Sequence, residues 1–375
     1  MQSSLRIGID IGGTFTDFVV YDPCTRKINT LKMLSTPSDP SLAVMAGLRK
    51  LGIFERPNAP GTEIRIIHGS TVATNALLER KGARTAFVAT NGFKDLLQIG
   101  RQNRPELYDF FADPPVPLVP AELRFEVDER VGKDGKVLHA LQMEDLDGLI
   151  EAIRGQGAGS VAVCLLFSFV YPEHECQITE SLRAAGLLVS ASSEILPEFR
   201  EYERASTTAV NAYVSPVLTG YLTNLEGRLE AASTTSGSQV DLRIMQSNGG
   251  NIDPQEARRF GVRCILSGPA GGVVGCQYAS QVLGEAHPRL ITFDMGGTST
   301  DVSLIDGELQ LTSESSIGGC PIRIPVLDIH TIGAGGGLSP VWTKAAHCAW
   351  GRSRQVLTLD RLVIPNGMGL LSCRL

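Results

Sequence analysis

An octapeptide rich in aspartate, glycine and threonine occurs twice in the sequence. Residues 10–17 read DIGGTFTD and residues 294–301 read DMGGTSTD, so both copies follow the pattern D-x-G-G-T-x-T-D. Paired glycines let a backbone come close to a ligand, and their N–H groups can point together at an anion. The threonine hydroxyls add neutral donors, whereas an aspartate suits a cation, its bound waters or the orientation of a nucleophile. Two matched copies predict two similar halves that grip one polyphosphate from opposite sides.

Each copy stands between two apolar runs that fix its predicted structure. Leu5–Ile9 precedes the first copy and Phe18–Tyr21 follows it, and Leu290–Phe293 and Val302–Ile305 flank the second copy in the same way. Both units therefore predict a strand, a glycine turn and a strand, which is a β-hairpin. Two ordinary tight hairpins without a ligand are the alternative, and the matching flanks favour the phosphate-binding interpretation.

The segments between the two copies predict a layered α/β fold. Gly159–Phe167 is almost wholly apolar, which is typical of a central parallel strand. Met143–Arg154 and Pro172–Ala185 have the pattern of helices. This alternation of strands and helices favours α/β architecture with helices packed on a sheet.

Three polar segments outside the repeat are candidates for ligand binding. The first opens a predicted helix, and its candidate substrate-binding residues are His68, Ser70, Thr71 and Asn75. A helix start rich in serine and threonine leaves free N–H donors for a carboxylate or a carbonyl, or it simply caps the helix. The other two are the loop that contains Asn248 and the helix start that contains Gly268 and Gly271, and each either contacts a ligand or only shapes a turn.

Two further groups of charged or titratable residues are expected at the surface. Charges concentrate in Pro197–Arg204, where a solvated, salt-bridged helix face is the default expectation and an inter-domain role for Glu201 or Arg204 is the alternative. His139, His174 and His287 stand alone among polar residues, which predicts exposed rings.

Composition limits the remaining function classes. The chain has 375 residues and a net charge of −6 without a basic block, which argues against nucleic acid as a partner. No run approaches the roughly 18 apolar residues of a membrane span, and the N-terminus lacks the apolar core of a signal peptide. The eight cysteines form no C-x-x-C pair, as expected for reduced thiols. We therefore expect a soluble, cytoplasmic protein without a membrane or nucleic-acid partner.

The two repeat units resemble the phosphate loops of the actin, sugar-kinase and heat-shock-chaperone ATPase superfamily. Within that superfamily the chain is similar to the hydantoinase A/5-oxoprolinase family. Further matching segments follow in family order: HGSTVATNALLERKGARTAFVATNGFKDLLQIGRQ (68–102), ILPEFREYERASTTAVNAYVSPVL (195–218), MQSNGG (245–250), SGPAGGVVG (267–275) and the end of DIHTIGAGGG (328–337). The resemblance covers nearly everything from residue 5 to residue 337.

This resemblance implies two ribonuclease-H-like α/β domains around a nucleotide cleft, the second of them incomplete. Residues 1–195 are expected to form the N-terminal domain with the first phosphate loop, and residues 196–337 the start of the second domain. The implied cofactors are ATP and Mg²⁺, and the implied reaction is the hydrolysis of a cyclic amide such as a hydantoin or 5-oxoproline through phosphorylation of its carbonyl oxygen. A B-type subunit or domain is the implied partner, and an oligomer is compatible with the resemblance.

The roles of the repeat residues follow from this comparison. The expected nucleotide-binding residues are Gly12, Gly13, Thr14, Thr16, Gly296, Gly297, Thr298 and Thr300, with Gly268 and Gly271 in addition. Asp10 and Asp294 are expected to position Mg²⁺ or a water, and Asp17 and Asp301 are the second candidates for this catalytic role.

Three other functions compete with the hydrolase. The first is an ATP-dependent carboxylase subunit that acts on a ketone, because the phosphate loops do not distinguish it from a hydrolase. The second is a small-molecule kinase, which the segments HGSTVATNAL and SGPAGG argue against. The third is a truncated chain without activity. Phosphate release that depends on substrate separates the hydrolase from an inactive chain, and dependence on bicarbonate separates the carboxylase from the hydrolase. A phosphorylated product that survives would indicate a kinase.

The last 38 residues, 338–375, differ in character from the rest of the chain. They contain both tryptophans and five of the basic residues but only one acidic residue. With suitable synonymous codons, the alternative reading frame of this segment resembles the family continuation GPESAGADPGPACY. We therefore expect an aberrant tail, produced by a frameshift after Gly337, and a second domain that lacks its remainder.

Overall fold

The computed structural model describes residues 4–55, 63–103, 116–285, 287–295 and 300–332, and the backbone of four short strands beyond them. The strands before residue 200 are β1 (Ser4–Ile11), β2 (Phe15–Asp22), β3 (Lys27–Leu34), β4 (Glu63–Ser70), β5 (Thr85–Thr90), β6 (Arg124–Val127), β7 (Arg130–Val131), β8 (Val137–His139), β9 (Ser160–Cys164) and β10 (Leu188–Ala191). The later strands are β11 (Gln239–Met245), β12 (Asn251–Ile252), β13 (Arg289–Met295), β14 (Thr300–Asp306), β15 (Glu308–Leu309), β16 (Leu311–Thr312), β17 (Ser315–Ile317), β18 (Cys320–Ile322), β19 (Val326–Leu327), β20 (Ile329–Ile332), β21 (Pro340–Trp342), β22 (Cys348–Trp350), β23 (Leu357–Thr358) and β24 (Gly369–Leu371).

The helices alternate with these strands. They are α1 (Pro40–Lys50), α2 (Val72–Leu78), α3 (Leu96–Ile99), α4 (Asp145–Gly155), α5 (Glu173–Ala184), α6 (Ser192–Ile195), α7 (Glu201–Ser236), α8 (Pro254–Arg259) and α9 (Ser267–Val282). Two short 3₁₀ turns lie at Ala121–Leu123 and Gly261–Cys264. The described part of the chain is therefore an α/β structure, as the periodic segments predict.

The first sheet carries the first octapeptide. Its strand order is β12-β11-β4-β1-β2-β3, with β1 and β2 antiparallel and β4 and β11 parallel to β1 and to each other. Ile7, Ile9 and Ile11 alternate along β1 and are buried in one core with Phe18 of β2. Because a shift of one residue would move these side chains to the other face, their burial fixes the register of the hairpin.

The second octapeptide forms the same kind of hairpin. β13 and β14 are antiparallel in a sheet of order β15-β14-β13-β24. β20 also pairs with β14, at residues 300–303, whereas β15 pairs with residues 305 and 306. Asp294 lies opposite Asp301, just as Asp10 lies opposite Asp17 in the first hairpin. Both predicted hairpins are thus confirmed, and they share one register.

A second, fully parallel sheet lies between the two hairpins in the sequence. Its order is β10-β9-β5-β6, and every residue of β5 and β9 is buried. The predicted central strand Gly159–Phe167 is confirmed as the shorter β9. Helix α4 spans Asp145–Gly155 and α5 spans Glu173–Ala184, close to the predicted ranges. Such uninterrupted apolar strands require cover on both faces, which the helices provide.

Helix α7 joins the cores of the molecule. It has 36 residues and is therefore about 54 Å long. Ala205 and Ala209 belong to the core of the parallel sheet, and Leu218 and Leu222 belong to the core of the first sheet. Because opposite ends of one helix enter two cores, α7 holds the two sheets in a fixed arrangement.

A proline inside α7 is accommodated by hydrogen bonds from outside the helix. Pro216 has no N–H to donate to the carbonyl oxygen of Ala212 four residues earlier. The hydroxyl of Ser160 donates to that oxygen instead, at 2.6 Å. The backbone N–H of Ala83 donates to the carbonyl oxygen of Tyr213, at 2.9 Å. Both hydrogen bonds thus connect the helix near its proline to β9 and to the loop before β5.

Two surface expectations are wrong. Helix α7 begins at Glu201, after Arg200 in the left-handed region at φ 78°, so Pro197–Arg200 is not part of a charged helix face. Arg204 is 0% exposed and donates to the carbonyl oxygen of Leu165 and to the hydroxyl of Ser168. The buried arginine joins α7 to the carboxyl edge of the parallel sheet.

His174 is also buried. Its Nδ1 lies 2.9 Å from Oε2 of Glu129, whose other oxygen accepts the hydroxyl of Thr90. Polar neighbours in the sequence predict an exposed ring, but α5 turns this side chain towards the end of β5. The result is a buried polar network whose members satisfy one another.

Candidate functional site

The turn of the first hairpin is held by the chain that follows β3. The backbone N–H of Gly12 donates to the carbonyl oxygen of Phe15 at 2.9 Å and closes the turn. Ser35 fixes it from the side, because its hydroxyl donates to the carbonyl oxygen of Gly12 and its N–H to that of Thr14, both at 2.9 Å. The expected phosphate-binding residues Gly12, Gly13 and Thr14 thus lie in a rigid, partly exposed turn.

The last threonine of each octapeptide is buried. Thr16 and Thr300 are both 0% exposed, and the hydroxyl of Thr16 is 3.0 Å from that of Ser35. Because side chains alternate along a strand, each threonine points inward when the aspartate after it points to the other face. The structure thus buries both side chains, and the expected contact of Thr16 and Thr300 with phosphate stays a prediction.

Asp10 occupies a narrow position between two other segments. Its Oδ1 is buried and has no hydrogen-bond partner among the described residues. Gly69 at the end of β4 and Gly268 at the start of α9 flank this oxygen, and a Cβ atom on either glycine would lie 3.0 Å from it. A side chain at either position would therefore crowd the carboxylate.

The aspartates of the two hairpins interact electrostatically. Burial raises the pKa of Asp10 to about 6, with Asp294 and Asp17 adding to the effect and Lys32 opposing it. Burial also raises the pKa of Asp294, against the lowering effect of Lys32. The pKa of Asp301 is raised by burial and by Asp294, although the hydrogen bond from Thr331 opposes this. The four carboxylates thus form one cluster across the two hairpins.

Lys32 is the described cation that acts on this cluster, and the sequence patterns do not single it out. It lies opposite Asp17 on β3, its Nζ is 3.0 Å from the Asp17 carboxylate, and it lies 5.2 Å from the ring centroid of Phe15. A cation this close favours the ionised carboxylates. Only the pairing of β3 with β2 reveals the contact, because Lys32 is fifteen residues from Asp17 in the sequence.

Two of the predicted binding segments meet beside Asp10. The hydroxyl of Ser267 at the start of α9 donates to the carbonyl oxygen of Ser70, and the hydroxyl of Thr74 accepts from the N–H of Leu266. Leu266 has φ 61°, so the chain turns sharply before the helix begins. This geometry places Gly268 against Asp10. Gly271 faces Met245 instead, at 3.8 Å from a Cβ built on it.

A cleft of about 480 Å³ opens beside the first turn. Among its lining residues are Ile11, Gly12, Gly13, Ser35, Thr36, Asp39, Thr71, Val72, Asn75, Glu79, Lys81, Val217, Tyr221 and Asn224. Thr71 donates to the carbonyl oxygen of Ile11 at 3.0 Å, and the Asn75 amide lies 3.3 Å from the Thr71 hydroxyl. The structure thus brings two of the predicted substrate residues next to the glycine turn.

The other predicted substrate residues do not face this cleft. His68 is fully buried, its Nε2 lies 2.7 Å from the hydroxyl of Tyr221, and burial lowers its pKa to about 4. Ser70 is buried and accepts from the N–H of Val72. Asn248 accepts from the N–H of Gly250 at 2.9 Å and so shapes its own loop. His68 therefore supports Tyr221 from behind, and the neutral ring cannot act as a cation towards a substrate.

The second glycine turn lies outside the described residues. Gly296, Gly297 and Thr298 belong to this undescribed stretch, so their expected contacts with phosphate stay a prediction. Asp294 before the turn and Asp301 after it are described and close the hairpin.

Two features are absent from the described residues. Within them, no group of three or more histidine, cysteine, aspartate or glutamate side chains is arranged to hold a metal ion. The helices of the same residues include none long and apolar enough to cross a membrane. A cation at the aspartate cluster would therefore take much of its coordination from water or from a bound ligand.

The fold and the two facing hairpins are those of an actin-like ATPase. The chain superposes on the crystal structure of ATP-dependent caprolactamase from Pseudomonas jessenii with a TM-score of 0.78 and 34% identity, covering 90% of this chain and 49% of that one. It superposes on nucleotide-free acetone carboxylase with a TM-score of 0.77 and 26% identity, covering 95% and 50%.

The chain belongs to the hydantoinase/oxoprolinase family. Residues 6–186 match the hydantoinase/oxoprolinase N-terminal region, and residues 204–349 match the hydantoinase/oxoprolinase domain. The second match includes twelve residues beyond Gly337, and the frameshift after that residue stays a prediction.

Curated relatives agree with the family models. The chain is 40% identical to 5-oxoprolinase 1 of Arabidopsis thaliana, covering 90% of this chain and 28% of the relative. It is 35% identical to caprolactamase subunit alpha of Pseudomonas jessenii, covering 90% and 48%. The chain thus spans half or less of the length of these relatives.

Proposed function

We propose that this chain supplies the ATP-binding part of an enzyme that opens a cyclic amide. The observation that carries the proposal is the Asp10 carboxylate, two residues before the first glycine turn, whose Oδ1 is buried without a hydrogen-bond partner among the described residues. An orphaned buried acceptor is costly unless a ligand or a hydrated cation completes it. The relatives named 5-oxoprolinase and caprolactamase support a lactam as the substrate class.

The reaction needs ATP because an unstrained lactam resists water. The carbonyl oxygen attacks the γ-phosphorus of ATP, so an O–P bond forms and the bond to ADP breaks. One water then adds to the activated carbon, the ring C–N bond breaks and the nitrogen takes up a proton. A second water attacks the same carbon of the resulting acyl phosphate, the C–O bond to the phosphate breaks, and inorganic phosphate leaves with the former carbonyl oxygen while the free carboxylate remains. Turning the carbonyl oxygen into a good leaving group is the purpose of the phosphorylation.

Residues of the first hairpin have the chemistry for this step. Backbone N–H groups of Gly12 and Gly13 and the hydroxyl of Thr14 would receive phosphate oxygens. Asp10 and Asp294 would hold Mg²⁺, which offsets the charge of the phosphates and keeps most of its waters. The unpaired Oδ1 of Asp10 and the shared field of the two aspartates fit such a cation. Thr71 and Asn75 would contact the ring substrate from the cleft wall.

Carboxylation of a ketone is the second candidate. The structural likeness to acetone carboxylase supports it, and a ketone oxygen can be phosphorylated in the same way as a lactam oxygen. In either case we propose a B-type partner subunit, because the relative from Pseudomonas jessenii is named as subunit alpha.

An isotope experiment tests the proposal. The chain, alone and with a B-type partner, is supplied with Mg-ATP and caprolactam labelled with ¹⁸O at the carbonyl, and the released phosphate is analysed by mass spectrometry. We expect the label in phosphate, and expect Asp10→Asn to abolish the signal. Unlabelled phosphate during steady ring opening would contradict the mechanism. If acetone labelled with ¹⁸O at its carbonyl replaces caprolactam, labelled phosphate that forms only when bicarbonate is present would favour the carboxylase.

A further inference from the structure

A second cavity, of about 630 Å³, lies away from the aspartate cluster. Its walls come from the loop after α3, from the start of α7 and from the segment around β17 and β18. The charged residues that line it are three arginines and two glutamates: Arg101, Arg200, Arg323, Glu203 and Glu314. The lining thus has a net charge of +1 in a chain whose net charge is −6. No lining residue is shared with the cleft beside the glycine turn.

Arg323 is the residue that points to a ligand. Its side chain is 17% exposed, and its Nε and Nη1 are buried without a hydrogen-bond acceptor among the described residues. Nε lies 3.2 Å from Oε2 of Glu198, but the pair is not aligned for a hydrogen bond. The backbone N–H of Arg323 donates to Thr207 of α7, so the residue is held in place. Buried guanidinium donors without acceptors are costly, and an anion would remove that cost.

Phe199 brings a second arginine to the same place. The guanidinium carbons of Arg200 and Arg323 lie 5.8 and 5.4 Å from the centroid of its ring, which is 60% exposed. Two cations on one ring repel each other, and an anion between them offsets that repulsion. Arg200 has φ 78°, a strained conformation for a residue with a side chain. Its ion pair with the exposed Glu314, at 3.3 Å, is weak.

Arg101 lines one wall of the cavity and already has an ion-pair partner. Its Nε and Nη2 donate to the two carboxylate oxygens of Glu203, at 2.8 and 2.6 Å. Burial would raise the pKa of Glu203, but the hydrogen bond from Arg101 and the charges of Arg101 and Arg200 lower it overall. Glu203 therefore stays ionised for Arg101. Among the described residues, Nε and Nη1 of Arg323 lack a hydrogen-bond acceptor, and Arg200 has only the weak pair with Glu314.

We propose that this cavity binds a small oxyanion, a carboxylate or a phosphate group, through the guanidinium groups of Arg323 and Arg200. The planar fork of a guanidinium matches both groups, because each presents two oxygens to two N–H donors. The proposal stands independently of the cyclic-amide reaction, because it uses none of the residues of the aspartate cluster.

Titration calorimetry on the 375-residue chain tests the site with glutarate and inorganic phosphate as probes. Wild type is compared with Arg323→Gln, Arg200→Gln and the matched control Arg183→Gln, whose arginine pairs with Glu194 at 3.0 Å outside the cavity. We expect saturable binding that is at least tenfold weaker in Arg323→Gln, severalfold weaker in Arg200→Gln and unchanged in the control.

The two probes distinguish the sources of the oxyanion. Binding of glutarate alone identifies a carboxylate site, and binding of phosphate alone identifies a phosphate site. Absence of saturable binding to wild type overturns the proposal. So does a folded Arg323→Gln variant with wild-type affinity for both probes, or an equal loss in the control.

A labelling experiment covers the case in which Arg323→Gln does not fold. The wild-type chain is treated with phenylglyoxal, and modification is located by peptide mass spectrometry. The bound probe should slow modification of Arg200 at least threefold and leave that of Arg183 unchanged. Equal rates at Arg200 with and without saturating probe would overturn the proposal.

Discussion

The two hairpins have nearly the same eight residues and the same register, yet different strands lie beside them. The second aspartate of the first hairpin, Asp17, lies opposite Lys32 on β3. Its counterpart Asp301 lies opposite Thr331 on β20 and accepts a hydrogen bond from the Thr331 hydroxyl at 2.5 Å. The same position of the repeat is therefore ion-paired with a lysine in one half and hydrogen-bonded to a hydroxyl in the other.

The first aspartates differ in burial. Asp10 lies between Gly69 and Gly268, and burial raises its pKa to about 6, whereas Asp294 remains exposed at the end of β13. The neighbouring strands and helices thus set the charge of a repeated motif, and the motif itself does not encode it. This difference predicts unequal roles for two residues that the sequence presents as equivalent.

The largest expected effect separates Asp10 from Asp294 by turnover. Asp10→Asn should lower substrate-dependent phosphate release by about 10²–10³-fold, because the carboxylate is buried between Gly69 and Gly268, where water has little access to take over its role. Asp294→Asn should cost about tenfold less, because water reaches an exposed site and can substitute for part of a carboxylate's role. Phosphate release at saturating Mg-ATP measures both. Equal losses would show that the two hairpins contribute alike.

The variants Asp10→Asn and Asp294→Asn should also differ in stability. Here the variant that loses more activity should gain more stability. With a folded-state pKa of about 6 against an ordinary value of 3.8, Asp10 binds a proton in the folded chain that the unfolded chain has released. Its contribution to the free energy of unfolding is therefore present at low pH and is lost as the pH rises through about 6. The loss is about 3 kcal/mol at most, from about 1.4 kcal/mol per pKa unit.

Urea unfolding between pH 4 and pH 8 measures this contribution. Asp10→Asn should be more stable than wild type at pH 7 and should flatten the decline above pH 4, while Asp294→Asn should give a smaller gain. A variant Asp10→Asn that is less stable than wild type at pH 7 would refute the assignment of a destabilising, ionised Asp10.

The glycines beside Asp10 provide a test of its tight position. Gly268→Ala places a methyl group 3.0 Å from Oδ1 and should destabilise the chain by about 1–3 kcal/mol. Gly272→Ala is the matched control in the same helix, because nothing lies within 4 Å of its Cβ position. It should be neutral or stabilising by up to about 1 kcal/mol. Chemical denaturation measures both, and a neutral Gly268→Ala would mean that the carboxylate has free space.

The smallest expected effect distinguishes Lys32 from Thr331, the cross-strand partners of Asp17 and Asp301. Lys32→Met removes an exposed ion pair worth about 0.2–1 kcal/mol, and Thr331→Val removes one hydrogen bond of about the same value. Only Lys32→Met should raise the pKa of Asp10 further, because Lys32 lowers it. The acid limb of the pH–rate profile should therefore move to higher pH in Lys32→Met and stay in place in Thr331→Val. A shift of the acid limb in both variants would show that Thr331 beside the second hairpin also influences the pKa of Asp10 in the first.

The repeated pattern predicted much of the fold because its information is local. The matched flanks identified both hairpins, and the β-branched run at Gly159–Phe167 identified a buried parallel strand. Asp10 and Gly12 were located in the same way, as parts of one motif. Such features depend on residues within a few positions of one another, which a single sequence contains.

The other contacts depend on which distant segments meet. Arg204 has charged neighbours at helical spacing and was expected in solvent, but Leu165 and Ser168 cover it from another part of the chain. Lys32 stands in an ordinary alternating strand, and its role depends on the neighbour that β3 has in the sheet. No local pattern contains either fact, because the first is set by how α7 packs on the loop after β9 and the second by strand order.

Strand β11 has a consequence for how the chain can be divided. Residues from the second half of the chain lie next to β4 of the first sheet, and α7 enters two cores on the way there. A protein engineer who exchanged residues 1–195 for those of a relative would leave that sheet with β11 and β12 from a different parent and α7 with two mismatched surfaces. Chimeras should therefore tolerate an exchange point after β12 better than one before α7, because only the former keeps the first sheet from a single parent.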